Sequence, residues 1–233
     1  MPTTRVSRHR ARHAPILVGL LAALSVALTG KTGQAQEIGR LYASKPPPGY
    51  AFVRIVQIFA LPPMPPLQLN AEQIKLTDGA TFYRAVPGSQ PLRLTVAGRR
   101  VSGEIVPRPD SYFTVAIERV GEEWQAHVID EGHGAADGLK AQLRFFNLVP
   151  DCAAALKIAD GAVVFSNASF ASMLSRSINP VTARLTAVCG DREGSLTLPA
   201  LRAGDSYSMF LRADDGKIIL SGQLDETEAY RER

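Results

Sequence analysis

The side chains of this sequence with the most chemical potential are one serine block, two histidines, their neighbouring carboxylates and two cysteines. Gly204-Asp205-Ser206 offers a hydroxyl nucleophile, and Asp130-Glu131-Gly132-His133 offers a base with an orienting acid. A serine that attacks an acyl donor, a histidine that takes its proton and a carboxylate that holds the imidazole together perform acyl transfer. His127 is the other histidine beyond residue 35. With Cys152 and Cys189, the two histidines could in principle ligate zinc, but their spacing fits no ligand pattern. No Gly-rich phosphate loop or dinucleotide fingerprint follows a strand and opens a helix. The sequence therefore implies no metal and no cofactor.

The arrangement argues against the acyl-transfer set as a catalytic centre. Gly-Asp-Ser and Asp-x-x-His blocks look like those of SGNH-type hydrolases and transferases, but there the serine block comes first. Here it comes last, and the helix–strand alternation of that fold is missing. Between a loop and the apolar run Tyr207–Leu211, Gly-Asp-Ser is ordinary turn chemistry. The chain is read as non-catalytic, with acyl transfer by Ser206 as the lesser alternative.

The elements that must carry these residues are strands. Tyr50–Phe59, Gln73–Leu76, Thr81–Val86, Leu92–Val96, Val101–Val106, Tyr112–Arg119 and Trp124–Ile129 are short and rich in Val, Ile, Thr and aromatics, with Gly, Pro or Asp at their ends. A second series follows: Ala141–Val149, Ala154–Ile158, Ala162–Ser166, Thr182–Cys189, Ser195–Leu198, Tyr207–Arg212 and Lys217–Gln223. Such runs predict an all-β fold of two consecutive β-sandwich domains. The glycine-rich stretch from Glu131 to Gly138 is the natural boundary, giving domains at 38–130 and 139–225. Asp160-Gly161 and Asp214-Asp215-Gly216 read as hairpin turns. Asn167–Ser177 could hold one short helix. Each half opens on a similar strand, Phe52-Val53-Arg54-Ile55-Val56 and Leu143-Arg144-Phe145-Phe146-Asn147-Leu148, which hints at two related units. The proline runs at 46–48 and 62–66 read as stiff loops.

Ahead of these strands lies a leader. Arg5, Arg8, Arg10 and Arg12 precede an apolar stretch, Ala14–Leu28, and then Gly33-Gln34-Ala35. A basic region, a short apolar run and a small-x-small site describe a secretory signal peptide at 1–35, cleaved near Ala35. The apolar stretch is short for a membrane span, which needs about 20 residues. Five of the 26 Lys+Arg and none of the 22 Asp+Glu precede residue 36, so the remainder holds 21 basic and 22 acidic residues, a net charge of −1. The basic pI of about 9.2 thus belongs to the leader, and no nucleic-acid partner is implied. In an exported protein, the isolated pair Cys152 and Cys189 reads as a disulfide.

Three further residues are candidates for contact with a partner protein or a glycan. Arg54 and Arg144 sit inside the two similar strands, with a solvated strand face as the plainer alternative. Trp124 neighbours Glu122 and Glu123 and so suits a strand edge. Tyr83, Tyr112, Phe82 and Phe113 could add to a sugar-stacking platform, although Phe52, Phe82 and Phe113 read more simply as core.

Several segments together resemble a known family. Leu41-Tyr42 with Pro46-Pro47-Pro48-Gly49-Tyr50-Ala51-Phe52-Val53-Arg54-Ile55 is similar to the start of mature alginate biosynthesis AlgF proteins and their relatives in acetylated-cellulose clusters. Phe146-Asn147-Leu148, Ala154-Ala155-Leu156-Lys157, Asn179-Pro180-Val181 and Leu201-Arg202-Ala203-Gly204-Asp205-Ser206-Tyr207-Ser208 extend the resemblance to about residues 38–225. The segment Gln57–Pro66 and the cysteine pair depart from it. The resemblance implies a periplasmic accessory protein of exopolysaccharide O-acetylation. Its partners would be the periplasmic O-acetyltransferases and the membrane O-acyltransferase of the same pathway. A carbohydrate-binding module that holds the polysaccharide is the alternative.

Overall fold

The computed structural model describes residues 45–59, 64–133 and 137–228, all within one compact unit, Glu37–Arg233. The leader and its cleavage site lie outside the described residues. Among the described residues every regular element is a strand. The first half contributes β1 (Tyr50–Gln57), β2 (Leu67–Leu69), β3 (Glu72–Ile74), β4 (Arg84–Pro87), β5 (Leu94–Val96), β6 (Arg99–Arg100), β7 (Tyr112–Val120) and β8 (Glu123–Gly132). The second contributes β9 (Ala141–Asn147), β10 (Ala154–Ile158), β11 (Val163–Ala168), β12 (Ser172–Ile178), β13 (Arg184–Cys189), β14 (Arg192–Thr197), β15 (Ser206–Asp214) and β16 (Lys217–Leu224).

The halves repeat one topology. Sheets β4-β1-β7-β8 and β3-β2-β5-β6 form the first sandwich; β12-β9-β15-β16 and β11-β10-β13-β14 form the second. Each strand of the first half thus has its counterpart eight strands later. The rare feature is shared too: β1 runs parallel to β7, and β9 runs parallel to β15.

Each sandwich has its own core. Val53, Ile55, Leu67, Leu94, Val115 and Ile117 fill the first. Leu143, Phe145, Leu156, Leu185, Met209 and Leu211 fill the second. The inward residues of β1 and β9 alternate with residues that are buried as well, which is why both strands read as nearly continuous apolar runs. Asp215 and Gly216, at φ 42° and 76°, make the two-residue β15–β16 turn. Asp and Gly tolerate that left-handed conformation, and such a turn matches the strand twist.

Two sequence expectations need correction, and one strand was not expected. The stretch Asn167–Ser177 is not helical: Ser172–Ile178 is an edge strand paired along its length with β9. Positive φ at Asn167 (55°) and Ala171 (53°) turns the chain between β11 and β12, and pairing outweighs the helix-tolerant Ala, Met and Leu. Val101–Val106 forms no strand: it bends at Gly103, at φ 103°, and carries one isolated bridge, Ser102 with Gln125. Leu67–Leu69 forms a strand directly after the proline run, which had masked it.

Candidate functional site

The two sandwiches meet across the outer faces of sheets β4-β1-β7-β8 and β12-β9-β15-β16. Parallel register aligns Arg54 with Thr114 and Arg144 with Ser208. The outward row of β1 is then Phe52, Arg54 and Val56, followed by Ile58 just past its end, and that of β9 is Gln142, Arg144 and Phe146, followed by Leu148. On β7 the row is Tyr112, Thr114, Ala116 and Glu118; on β15 it is Ser206, Ser208, Phe210 and Arg212. Val56, Ile58, Ala80, Ala116 and Ile129 of the first half pack with Phe146, Leu148 and Phe210 of the second in one buried cluster.

Beside this apolar patch lies a group of four charges. Arg54, fully buried, donates from Nη1 to Asp225 Oδ1 at 2.7 Å and from Nε to Thr114 Oγ1 at 3.1 Å. Its Nη2 lies 3.5 Å from Glu131 Oε1. Thr114 Oγ1 donates to Glu131 Oε1 at 2.6 Å, and Tyr83 donates its phenolic proton to Glu131 Oε2, also at 2.6 Å. Arg144 Nη1 donates to Glu131 Oε2, Asp225 Oδ2 and Tyr83 Oη, each at 3.2 Å. The Arg54 guanidinium lies 4.3 Å from the Tyr83 ring centre, with Phe146 and Phe210 at 5.0 and 4.9 Å. Flat cations favour such aromatic faces, most of all away from water.

The group is neutral, with two guanidinium groups against two carboxylates. Each half supplies one of each: Arg54 and Glu131 from the first, Arg144 and Asp225 from the second. Burial opposes the charge on Arg54 and on Arg144, but the nearby acidic groups outweigh it and hold both above the ordinary arginine range. Burial pushes the Tyr83 hydroxyl well above its usual range and Tyr112 up to about 12. Both tyrosines are thus neutral at physiological pH, and Tyr83 serves as a donor to Glu131. Breaking such a group from one side leaves a buried charge uncompensated, which is costly.

The chain beyond β16 completes the joint. Tyr83 N–H donates to Glu226 O, and Glu228 N–H donates to Tyr83 O, both at 2.8 Å, so a parallel bridge between Tyr83 and Thr227 ties the segment after β16 to the first half. Arg84 pairs with Glu228 at 2.7 Å and with Glu72 at 2.9 Å.

No family model matches the chain, and no curated protein matches it. Among solved structures it is similar to the C-terminal domain of AlgF from P. aeruginosa, at 29% identity over 37% of this chain and 97% of that one, with a TM-score of 0.31. A protein from Bacteroides ovatus ATCC 8483, described as a candidate cell adhesion protein, is 11% identical over 79% of this chain and 99% of that one, with a TM-score of 0.24. At these TM-scores neither likeness assigns a family.

The other residues singled out in the sequence fall as follows. Cys152 and Cys189 form a disulfide with Cα atoms 5.8 Å apart, against the second core. Arg54 and Arg144 face neither solvent nor an external surface; their partners lie inside the chain. Trp124 is half-buried on β8 and packs against the first core. It lines a cleft of about 740 Å³ with Arg99, Arg100, Glu104 and Glu123. Phe52 and Phe113 are buried, but Phe82 is 44% exposed and is not core. Among the described residues no hydrogen bond joins Ser206 to either histidine, and Asp205 Oδ2 accepts from Arg202 N–H at 2.7 Å, as in a turn. His127 Nε2 bonds Glu118 at 2.6 Å, and His133 Nδ1 bonds the Asp110 carbonyl at 3.0 Å.

Sequence reasoning missed Glu131, Asp225 and Tyr83 as members of one group. Glu131 looked like the start of a glycine-rich linker, yet its side chain is wholly buried. An arginine at the same place in two similar apolar strands was the signal that could have found it, because a buried arginine demands a carboxylate.

Proposed function

We propose that this chain is an exported accessory protein of exopolysaccharide O-acetylation, which works by docking other proteins of the acetylation machinery and not by transferring acetyl itself. The observation that carries this reading is the buried joint. Four charges and an apolar patch fix two sandwiches as one body, leaving the remaining sheet faces, loops and edge strands for contacts. Edge strands such as β3, β6, β11 and β14 suit recognition of extended partner segments. The sequence resemblance supplies the pathway, and the disulfide suits an oxidising compartment such as the periplasm. Among the described residues neither histidine bonds to Ser206, so the docking reading is preferred to acyl transfer by Ser206.

A second reading has one specific support. Trp124 lines a cleft with two arginines and two glutamates, a polar wall with one aromatic face that suits a sugar chain. Titration of the purified protein with oligosaccharides, followed by Trp124 fluorescence, tests it directly.

The docking reading is tested by measuring ester-linked acetyl on exopolysaccharide from a strain lacking the gene, complemented with wild type or with Ser206→Ala. Loss of acetyl restored by both copies is the expected result. Restoration by wild type alone, with the variant folded, would return Ser206 to consideration as a nucleophile. Unchanged acetyl in the deletion strain would refute the pathway assignment.

A further inference from the structure

Three arginines are buried in the described structure: Arg54, Arg144 and Arg212. The first two share two carboxylates, but Arg212 forms no ion pair among the described residues. Its Nη2 donates to Ser221 Oγ at 2.9 Å, and its Nε is buried without a protein hydrogen-bond partner. Asp78 and Asp214 act on it only at longer range, and burial lowers its pKa. Close approach of the backbone at Gly79 makes room for it: a Cβ there would lie 1.8 Å from Arg212 Nη1.

Arg212 is also where the repeat breaks its symmetry. By register it is the counterpart of Glu118, which is satisfied by His127. No such partner is provided for Arg212. Instead it lines a cleft of about 1210 Å³ between the two sandwiches. One wall comes from β3 and the residues just after it, Gln73–Leu76; the other comes from Leu196, Leu220 and Ser221.

We infer that this cleft receives an extended segment of a partner protein, in which an aspartate or glutamate side chain flanked by aliphatic residues pairs with Arg212. Three features select that occupant. A guanidinium on the cleft wall with no paired carboxylate among the described residues calls for one, which it can hold with paired hydrogen bonds. The β3 strand is the edge of its sheet, and an edge strand pairs with an added strand. Among the described residues no aromatic side chain lines the cleft, whereas a sugar chain would need stacking faces; beside Lys75 and Asp78, its aliphatic and proline residues suit leucine, valine or isoleucine. This names a docking surface for the function proposed above, but its test does not depend on the acetylation pathway.

The test is an NMR titration of the purified chain with two capped pentapeptides, Leu-Val-Glu-Leu-Val and its central-glutamine counterpart. The readouts are the Arg212 Nε–Hε signal and the Leu76, Leu196 and Leu220 methyl signals. The glutamate peptide should bind about tenfold more tightly, with shifts confined to this cleft; a tenfold difference is the size expected of one charge-assisted hydrogen bond. Arg212→Gln should bind both peptides equally, and Ser221→Ala, which keeps the guanidinium, should retain the preference. Equal binding by wild type, or a preference that survives Arg212→Gln, would overturn the inference. So would shifts outside the cleft, or occupation of it by an oligo-uronate or a second copy of the chain in place of the peptide. If Arg212→Gln fails to fold, the wild-type comparison and Ser221→Ala still decide the matter.

Discussion

Arg54 and Arg144 occupy the same position in two copies of one eight-strand plan, and both reach Asp225 from opposite sheets, Arg54 at 2.7 Å and Arg144 at 3.2 Å. A single carboxylate near the end of the described chain is thus shared by the central strands of both halves. Glu131 is shared in the same way. Neither sandwich completes its charge group alone.

Replacing one member of this group should therefore be severe. Arg54→Met leaves Glu131 and Asp225 short of a cation in a dry site and is expected to cost about 3–5 kcal/mol. Arg84→Met removes two partly exposed ion pairs and is expected to cost under about 1 kcal/mol. Urea denaturation of the two variants checks the contrast.

Equivalent positions make a sharper comparison. Thr114 Oγ1 links Arg54 to Glu131, whereas the matching Ser208 Oγ is buried with no protein partner. Thr114→Val strands a guanidinium N–H and a carboxylate lone pair, at an expected cost of about 1–3 kcal/mol. Ser208→Ala removes a buried, unpaired hydroxyl and should be neutral or stabilising by up to about 2 kcal/mol. Equal costs would mean that the two halves treat the position alike.

The tyrosines set an alkaline limit. Their folded-state pKa values lie above the ordinary value near 10, with Tyr112 at about 12. A group whose pKa is raised by folding contributes stability that is complete below its unfolded value and is lost as pH climbs to the folded one. Stability should therefore be insensitive to these groups below about pH 10 and fall between about 10 and 12. Absorbance near 295 nm should show Tyr83 and Tyr112 ionising only late, together with unfolding.

The cysteine bridge is open to a direct chemical check. The chain has two cysteines, so the native protein should give no reaction with a thiol reagent in denaturant, and two equivalents after reduction. The bridge closes a loop of sequence separation 37, and its removal by Cys152→Ser with Cys189→Ser should cost roughly 4 kcal/mol in the chain-entropy model.

How far the sequence spoke depended on which forces were local. Alternation in Leu92–Val96 or Lys217–Gln223 shows directly, because one face of each strand is wet. Asp215-Gly216 shows as a turn because its backbone conformation is set by its own residues. Ser172–Ile178 does not show, since its strand state comes from pairing with β9, more than twenty residues earlier. Leu67–Leu69 is hidden by prolines that end just before it. The charge group is the hardest case: Arg54, Glu131 and Asp225 lie 77 and 94 residues apart in turn, and only tandem packing of the halves brings them together. Arg54 and Arg144 were visible as a matched pair in matched strands, but their burial was not.

The most direct test of the account is whether the two halves unfold as one body through this shared group. Trp124 is the only tryptophan and reports the first sandwich; the amide signals of Leu156 and Leu185 report the second. In a urea titration, the two probes should share one midpoint in the wild type and move down together in Arg144→Met, although Arg144 belongs to the second half. Separate wild-type midpoints, or a shift confined to the second-half signals in the variant, would contradict the account.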